Sequence, residues 1–159
     1  MTYRKKAVIE YLKINELTIS VAESFTGGLL QSTIVEYPGS SKIFEGGFVA
    51  YSKWGKIKIL GVPAEIIREH GVVSSEVAAE MASSCKRIMK SSIGIGFTGA
   101  AGPGRINGKP VGTAWLGINI KGKTKTYLIN DASRGRNDFR QYCVDVAFKE
   151  LARLLKVEE

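Results

Sequence analysis

Residues 17–35 read LTISVAESFTGGLLQSTIV, and the change of periodicity inside this stretch decides the fold. Positions 17–22 form a short apolar run rich in β-branched residues, which predicts a buried strand. Thr26-Gly27-Gly28 breaks the run. Positions 29–35 then take up a helical pattern, stopped by Tyr37-Pro38-Gly39. Working outward, residues 3–12 place Val8, Tyr11 and Leu12 on one helical face, and residues 47–51 read as a second strand. Short helices are expected over 54–60 and 63–69, with Pro63 in a tolerated first-turn position. Ser74 can cap a longer helix reaching residue 89. Its Glu76 at the start and Lys86, Arg87 and Lys90 at the end suit the helix dipole. A strand over 92–97 leads to a loop at 98–104. Strands over 111–120 and 124–129 meet at a hairpin around Lys121-Gly122-Lys123. Phe139, Tyr142, Cys143, Val146, Leu151 and Leu154 share one face of a final helix. Strands alternating with helices, closed by a hairpin and a helix, predict an α/β fold: a three-layer α/β/α sandwich with a mixed sheet.

The chain has 159 residues, a length that suits a single domain spanning 1–159. Hydrophobic residues make up 44% and charged residues 24%, an ordinary globular composition that excludes disordered and collagen-like classes. Cys85 and Cys143 lie far apart without a CxxC, and His70 is the single histidine, so the common zinc patterns are excluded and no metal or cofactor is expected. That cysteine usage suits a reduced, intracellular protein. No apolar run approaches the ~20 residues of a membrane span. The basic start leads into an amphipathic stretch rather than a signal-peptide core. A soluble, cytoplasmic protein without a membrane partner is expected. The net charge of +8, from 23 basic and 15 acidic residues, favours anionic partners, either nucleic acid or phosphorylated small molecules. The basic residues are dispersed without interleaved aromatics, which speaks against a nucleic-acid surface.

Two motifs fail on context. Gly94-Ile95-Gly96-Phe97-Thr98-Gly99 matches GxGxxG, but it sits inside an apolar strand and runs into a Gly/Pro loop rather than a helix; close backbone packing explains it. Gly108-Lys109-Pro110 lacks the hydroxyl residue of a P-loop. His70 reads as a helix-end residue, and there is no GxSxG elbow. A nucleophilic serine would therefore rely on a lysine base, partly desolvated so that a neutral amine is available.

Three clusters stand out. In Ala22-Glu23-Ser24-Phe25-Thr26-Gly27-Gly28, free N–H groups at a helix start can hold a phosphate or an oxyanion. Ser40 and Ser41, Tyr51 and Lys56 gather around the second strand. Thr98-Gly99 opens a Gly-rich loop at a strand end, where α/β proteins place ligands. The order AESFTGG, PGSSKIFEGGFVAYS, LGVP, HGVVSSEVAAEMA, FTGAAGPG and KPVGTAW resembles the CinA C-terminal domain family, from about residue 21 to 115 and more weakly beyond.

The resemblance implies a three-layer α/β/α fold, frequent dimerisation, no obligatory metal, and, as in single-domain members, deamidation of nicotinamide mononucleotide. The family's functional positions match at Ser24, Thr26, Ser41, Tyr51, Lys56, Thr98 and Arg136. The chain departs from the family where Phe25 replaces the usual cysteine and Lys53-Trp54-Gly55 replaces Asn-Glu-Ala. Arg134-Gly135-Arg136 likewise replaces Gly-Asp-Arg.

The resulting expectation is an amidohydrolase acting on a phosphorylated pyridine nucleoside, with Lys56 as base and Ser41 preferred over Ser24 as nucleophile; the reverse assignment is almost as well supported. Ser24 would then relay the proton or hold substrate, and Tyr51 would stack on or hydrogen-bond it. Gly27, Gly28, Thr98 and Gly99 would hold the oxyanion or 5′-phosphate, and Arg136 would anchor the phosphate. Alternatives are a non-catalytic nucleotide-binding module and, less favoured, a basic nucleic-acid-binding protein.

Overall fold

Five strands form one mixed sheet in the order β2-β1-β3-β4-β5, in a computed structural model that describes residues 2–157. They are β1 (Ile19–Glu23), β2 (Phe44–Val49), β3 (Ile93–Ala100), β4 (Thr113–Ile120) and β5 (Lys123–Asn130). β1 pairs in parallel with β2 and β3, while β3, β4 and β5 are antiparallel. The hairpin turns at Lys121 and Gly122, with φ of 54° and 76°. Two positive φ values give the mirror-image turn that matches strand twist.

Helices cover both faces. On one side α1 (Thr2–Ile14), α2 (Leu29–Val35) and α5 (Arg136–Leu155) pack Leu12, Ile34 and Phe139 against Val21, Ile95 and Phe97. On the other, α3 (Ala64–His70) and α4 (Ser75–Met89) enclose a smaller core with Ala22, Ala50 and Met81. Ser74 caps α4, its Oγ accepting from Val77 N–H at 3.2 Å. The glycines of the false dinucleotide motif have a packing cause. A Cβ on Gly94 would lie 2.1 Å from the Ala82 carbonyl oxygen, and one on Gly96 2.5 Å from that of Ala78, so α4 rides directly on β3.

Several boundaries differ from expectation. β2 runs over Phe44–Val49 rather than 47–51, which leaves Tyr51 beyond the sheet. The short helix expected at 54–60 is a single π-helical turn, Gly55–Ile59, with Gly55 N–H bonded to Ser52 Oγ at 3.0 Å. β3 continues to Ala100, so Thr98 and Gly99 belong to a strand paired with β4 and not to a loop. Among the described residues no helix is long and apolar enough to cross a membrane.

Candidate active site

The parallel strands β1 and β2 end together, with Glu23 opposite Val49, and the chain segments leaving them build the site. Ser24 follows β1 directly. The π-helical turn after β2 brings Lys56 back beneath it, almost fully buried at 1% exposure. Lys56 Nζ donates to Ser24 Oγ at 2.8 Å and to the Ala50 carbonyl at 2.8 Å. Burial lowers the Lys56 pKa from 10.5 to about 8, because the charged ammonium loses its hydration there. Among the described residues no carboxylate lies within ion-pair distance of the amine to favour its charged form.

Ser41, the serine preferred in the sequence, is not brought to Lys56 within this chain. It lies exposed in a 3-10 turn, Ser40–Lys42, ahead of the opening residue of β2, whereas Lys56 follows the closing one. The whole length of β2, about 20 Å, lies between the turn of Ser41 and the segment that carries Lys56.

The turn after Ser24 is clamped from two sides by residues that the motif reading passed over. The buried Glu23 carboxylate accepts from Leu30 N–H at 2.9 Å, Gln31 N–H at 3.1 Å and Gln31 Nε2 at 2.9 Å. It thereby fills the start of α2 with the protein's own negative charge. Those two amides are therefore closed to a substrate anion. Gly27 and Gly28, at φ of 59° and 99°, turn the chain ahead of them. From α5, Arg140 Nε donates to the Phe25 carbonyl at 3.0 Å and Nη2 to that of Thr26 at 2.9 Å. A buried acid seven and eight residues before its amide partners, and an arginine on a distant helix, leave no local signature in the sequence.

Phe25 fills the core where the resembled family usually has cysteine. Its ring stacks on Phe139 with centroids 5.9 Å apart and meets Phe97 edge-on at 6.0 Å. Thr26 is fully buried, and its hydroxyl has no partner among the described residues. Thr98 is also buried; its hydroxyl donates to the Val72 carbonyl at 2.8 Å, tying β3 to the segment before α4. Arg136 opens α5 and bonds the Gly102 carbonyl through Nη1 and the Tyr51 hydroxyl through Nη2, the latter at 3.1 Å. It braces Tyr51 at the pocket edge. Ser24, Tyr51, Lys56 and Gly99 share one open pocket of about 300 Å³, with Lys53 and Asn107 at its wall. His70 ends α3, near Glu69 and Glu76 and outside this pocket. Among the described residues no cluster of His, Cys, Asp or Glu has the makings of a metal site.

The CinA C-terminal domain family model matches residues 2–155. The chain belongs to this family. It is 46% identical over 154 residues to a competence-damage inducible protein of Limosilactobacillus reuteri, a match covering 93% of this chain and 37% of that protein. A Listeria monocytogenes counterpart is 47% identical over 140 residues, covering 88% and 34%. The chain thus spans about a third of the length of these curated relatives. Among solved structures, the CinA superfamily protein of Escherichia coli superposes with a TM-score of 0.91 at 32% identity, covering 95% of this chain and 88% of that one. That of Klebsiella pneumoniae gives 0.93 at 26% identity, covering 97% and 96%. The CinA fold is therefore common to all three.

Proposed function

We propose that this CinA-family chain is an amidohydrolase that converts nicotinamide mononucleotide to nicotinate mononucleotide and ammonia. The observation that carries the reading is the buried Lys56 amine, 2.8 Å from Ser24 Oγ and with no carboxylate partner among the described residues. A lysine with a pKa near 8 has a neutral fraction near physiological pH, and the neutral amine can accept the serine proton. Ser24 Oγ then attacks the carboxamide carbon while its proton passes to Lys56 Nζ. The ammonium of Lys56 returns that proton to the departing amine, which leaves as ammonia. A water molecule, deprotonated by the same Nζ, cleaves the acyl-serine and regenerates both groups. The Phe25 and Thr26 N–H groups, which have no acceptor among the described residues, stand next to the nucleophile to receive the oxyanion. The Ala50 carbonyl keeps Nζ aimed at Ser24 throughout. The bond between Tyr51 and Arg136 presents the phenol ring to the pyridine at the pocket edge.

Ammonia release from nicotinamide mononucleotide by the pure protein tests the proposal. Turnover that disappears in Ser24→Ala and persists in Ser41→Ala is expected. Nucleotide binding without ammonia would instead make the chain a binding module.

A further inference from the structure

Each of the three anion-holding groups suggested by sequence has a partner within the protein. The start of α2 holds the Glu23 carboxylate, Thr98 donates to the Val72 carbonyl, and Arg136 bonds Tyr51 and Gly102. The partners of Arg136 are neutral, so any further cation near the site would act on a phosphate beside it. A second pocket of about 570 Å³ adjoins the first across two shared residues, Lys53 and Asn107. It extends along α3 to Arg68. Lys53 and Arg68 are both exposed, and among the described residues neither forms an ion pair; Glu65 and Glu69, acidic neighbours on α3, lie beyond ion-pair distance of Arg68. Among the described residues no carboxylate lines either pocket. Lys53 thus places a positive charge at the seam between the pockets.

We propose that this outer pocket is a phosphate subsite, in which Lys53 and Arg68 bind the phosphate of a substrate whose amide lies at Ser24. The inference rests on the amidase reading for its substrate but on separate residues for its chemistry. Lysine supplies a compact charge at the seam, and arginine a planar pair of donors deeper in the pocket. The pocket exceeds the size of one phosphate, so a phosphate esterified to a further group also fits.

The test compares nicotinamide mononucleotide with nicotinamide riboside, which lacks the phosphate. A charge-assisted contact is worth about 10- to 150-fold in affinity. The wild-type ratio of kcat/KM for nucleotide over nucleoside should therefore be large, fall by at least 10-fold in Lys53→Met/Arg68→Met, and return in Lys53→Arg/Arg68→Lys. In parallel, calorimetric binding of the nucleotide to Ser24→Ala should weaken by a similar factor when both methionines are added, and its dependence on salt should flatten. Binding that weakens in this way without any turnover in the wild type would refute the amidase and leave the phosphate subsite standing. Turnover with an unchanged nucleotide preference in Lys53→Met/Arg68→Met would refute the subsite and leave the amidase standing.

Discussion

The hydrogen bond between Lys56 and Ser24 sets the expectations at the scale of single residues. Lys56→Ala and Lys56→Arg should both fold and lose most of kcat, because arginine stays protonated and cannot act as a base. His70→Ala should keep most of it, since His70 stands outside the pocket. Comparing kcat for the three variants decides this. With the Lys56 pKa near 8, kcat/KM should rise with pH along a limb centred close to that value. The same residue links pH to stability. Its folded pKa, about 8, lies below the ordinary 10.5, so the cost of burying the ammonium is fully present below pH 8 and is relieved between pH 8 and 10.5. Relative to Lys56→Met, the wild type should gain about 3 kcal/mol across that window in urea unfolding. A constant difference would mean that the amine is not buried as a titrating group. The residue types of this site were legible in the sequence, but the pairing was not. Ser41 lies closer to Lys56 along the chain than Ser24 does, and only the direction of β2 reveals that it sits at the far end of the sheet.

At the scale of elements, legibility followed the strength of the local signal. The capped helix α4 falls where Ser74 and its charge pattern placed it, and the hairpin turns where Lys121-Gly122 allowed it. Boundaries drifted where pairing overrode composition, as in β3, whose pairing with β4 carries it through Thr98 and Gly99. Two glycine substitutions separate close packing from mere composition. Gly94→Ala would press a methyl to 2.1 Å from the Ala82 carbonyl and should cost about 1–3 kcal/mol, read as a drop in Tm. Gly55→Ala would meet nothing nearer than Ser52 Oγ at 3.4 Å, so the protein should keep its activity and gain up to about 1 kcal/mol. The clamp from α5 is a positioning device. Arg140→Ala should leave a folded protein whose kcat falls by up to about 100-fold with KM little changed, because the turn that follows Ser24 loses its anchor.

For the whole molecule, the layered α/β/α arrangement was readable from the order of strands and helices, whereas the strand order was not, since no local pattern says that β3 enters between β1 and β4. That central position also has a consequence in time. The hairpin of β4 and β5 closes over two residues, and β3 reaches β4 across one loop. By contrast, the pairing of Ile19 with Ile93 must bridge α2, β2, α3 and α4 before any of its hydrogen bonds can form. Ordering so long a loop carries an entropic cost that local contacts avoid, so β1 should join the sheet after the antiparallel half has formed. Pulse-labelled hydrogen exchange during refolding should find the amides of β4 and β5 protected ahead of those of β1; simultaneous protection would contradict this order. Ser24 hangs from the end of β1, and Lys56 lies within the chain that β1 waits for. A newly made molecule would therefore acquire its chemistry only at the close of folding, with no half-built form that carries a working nucleophile.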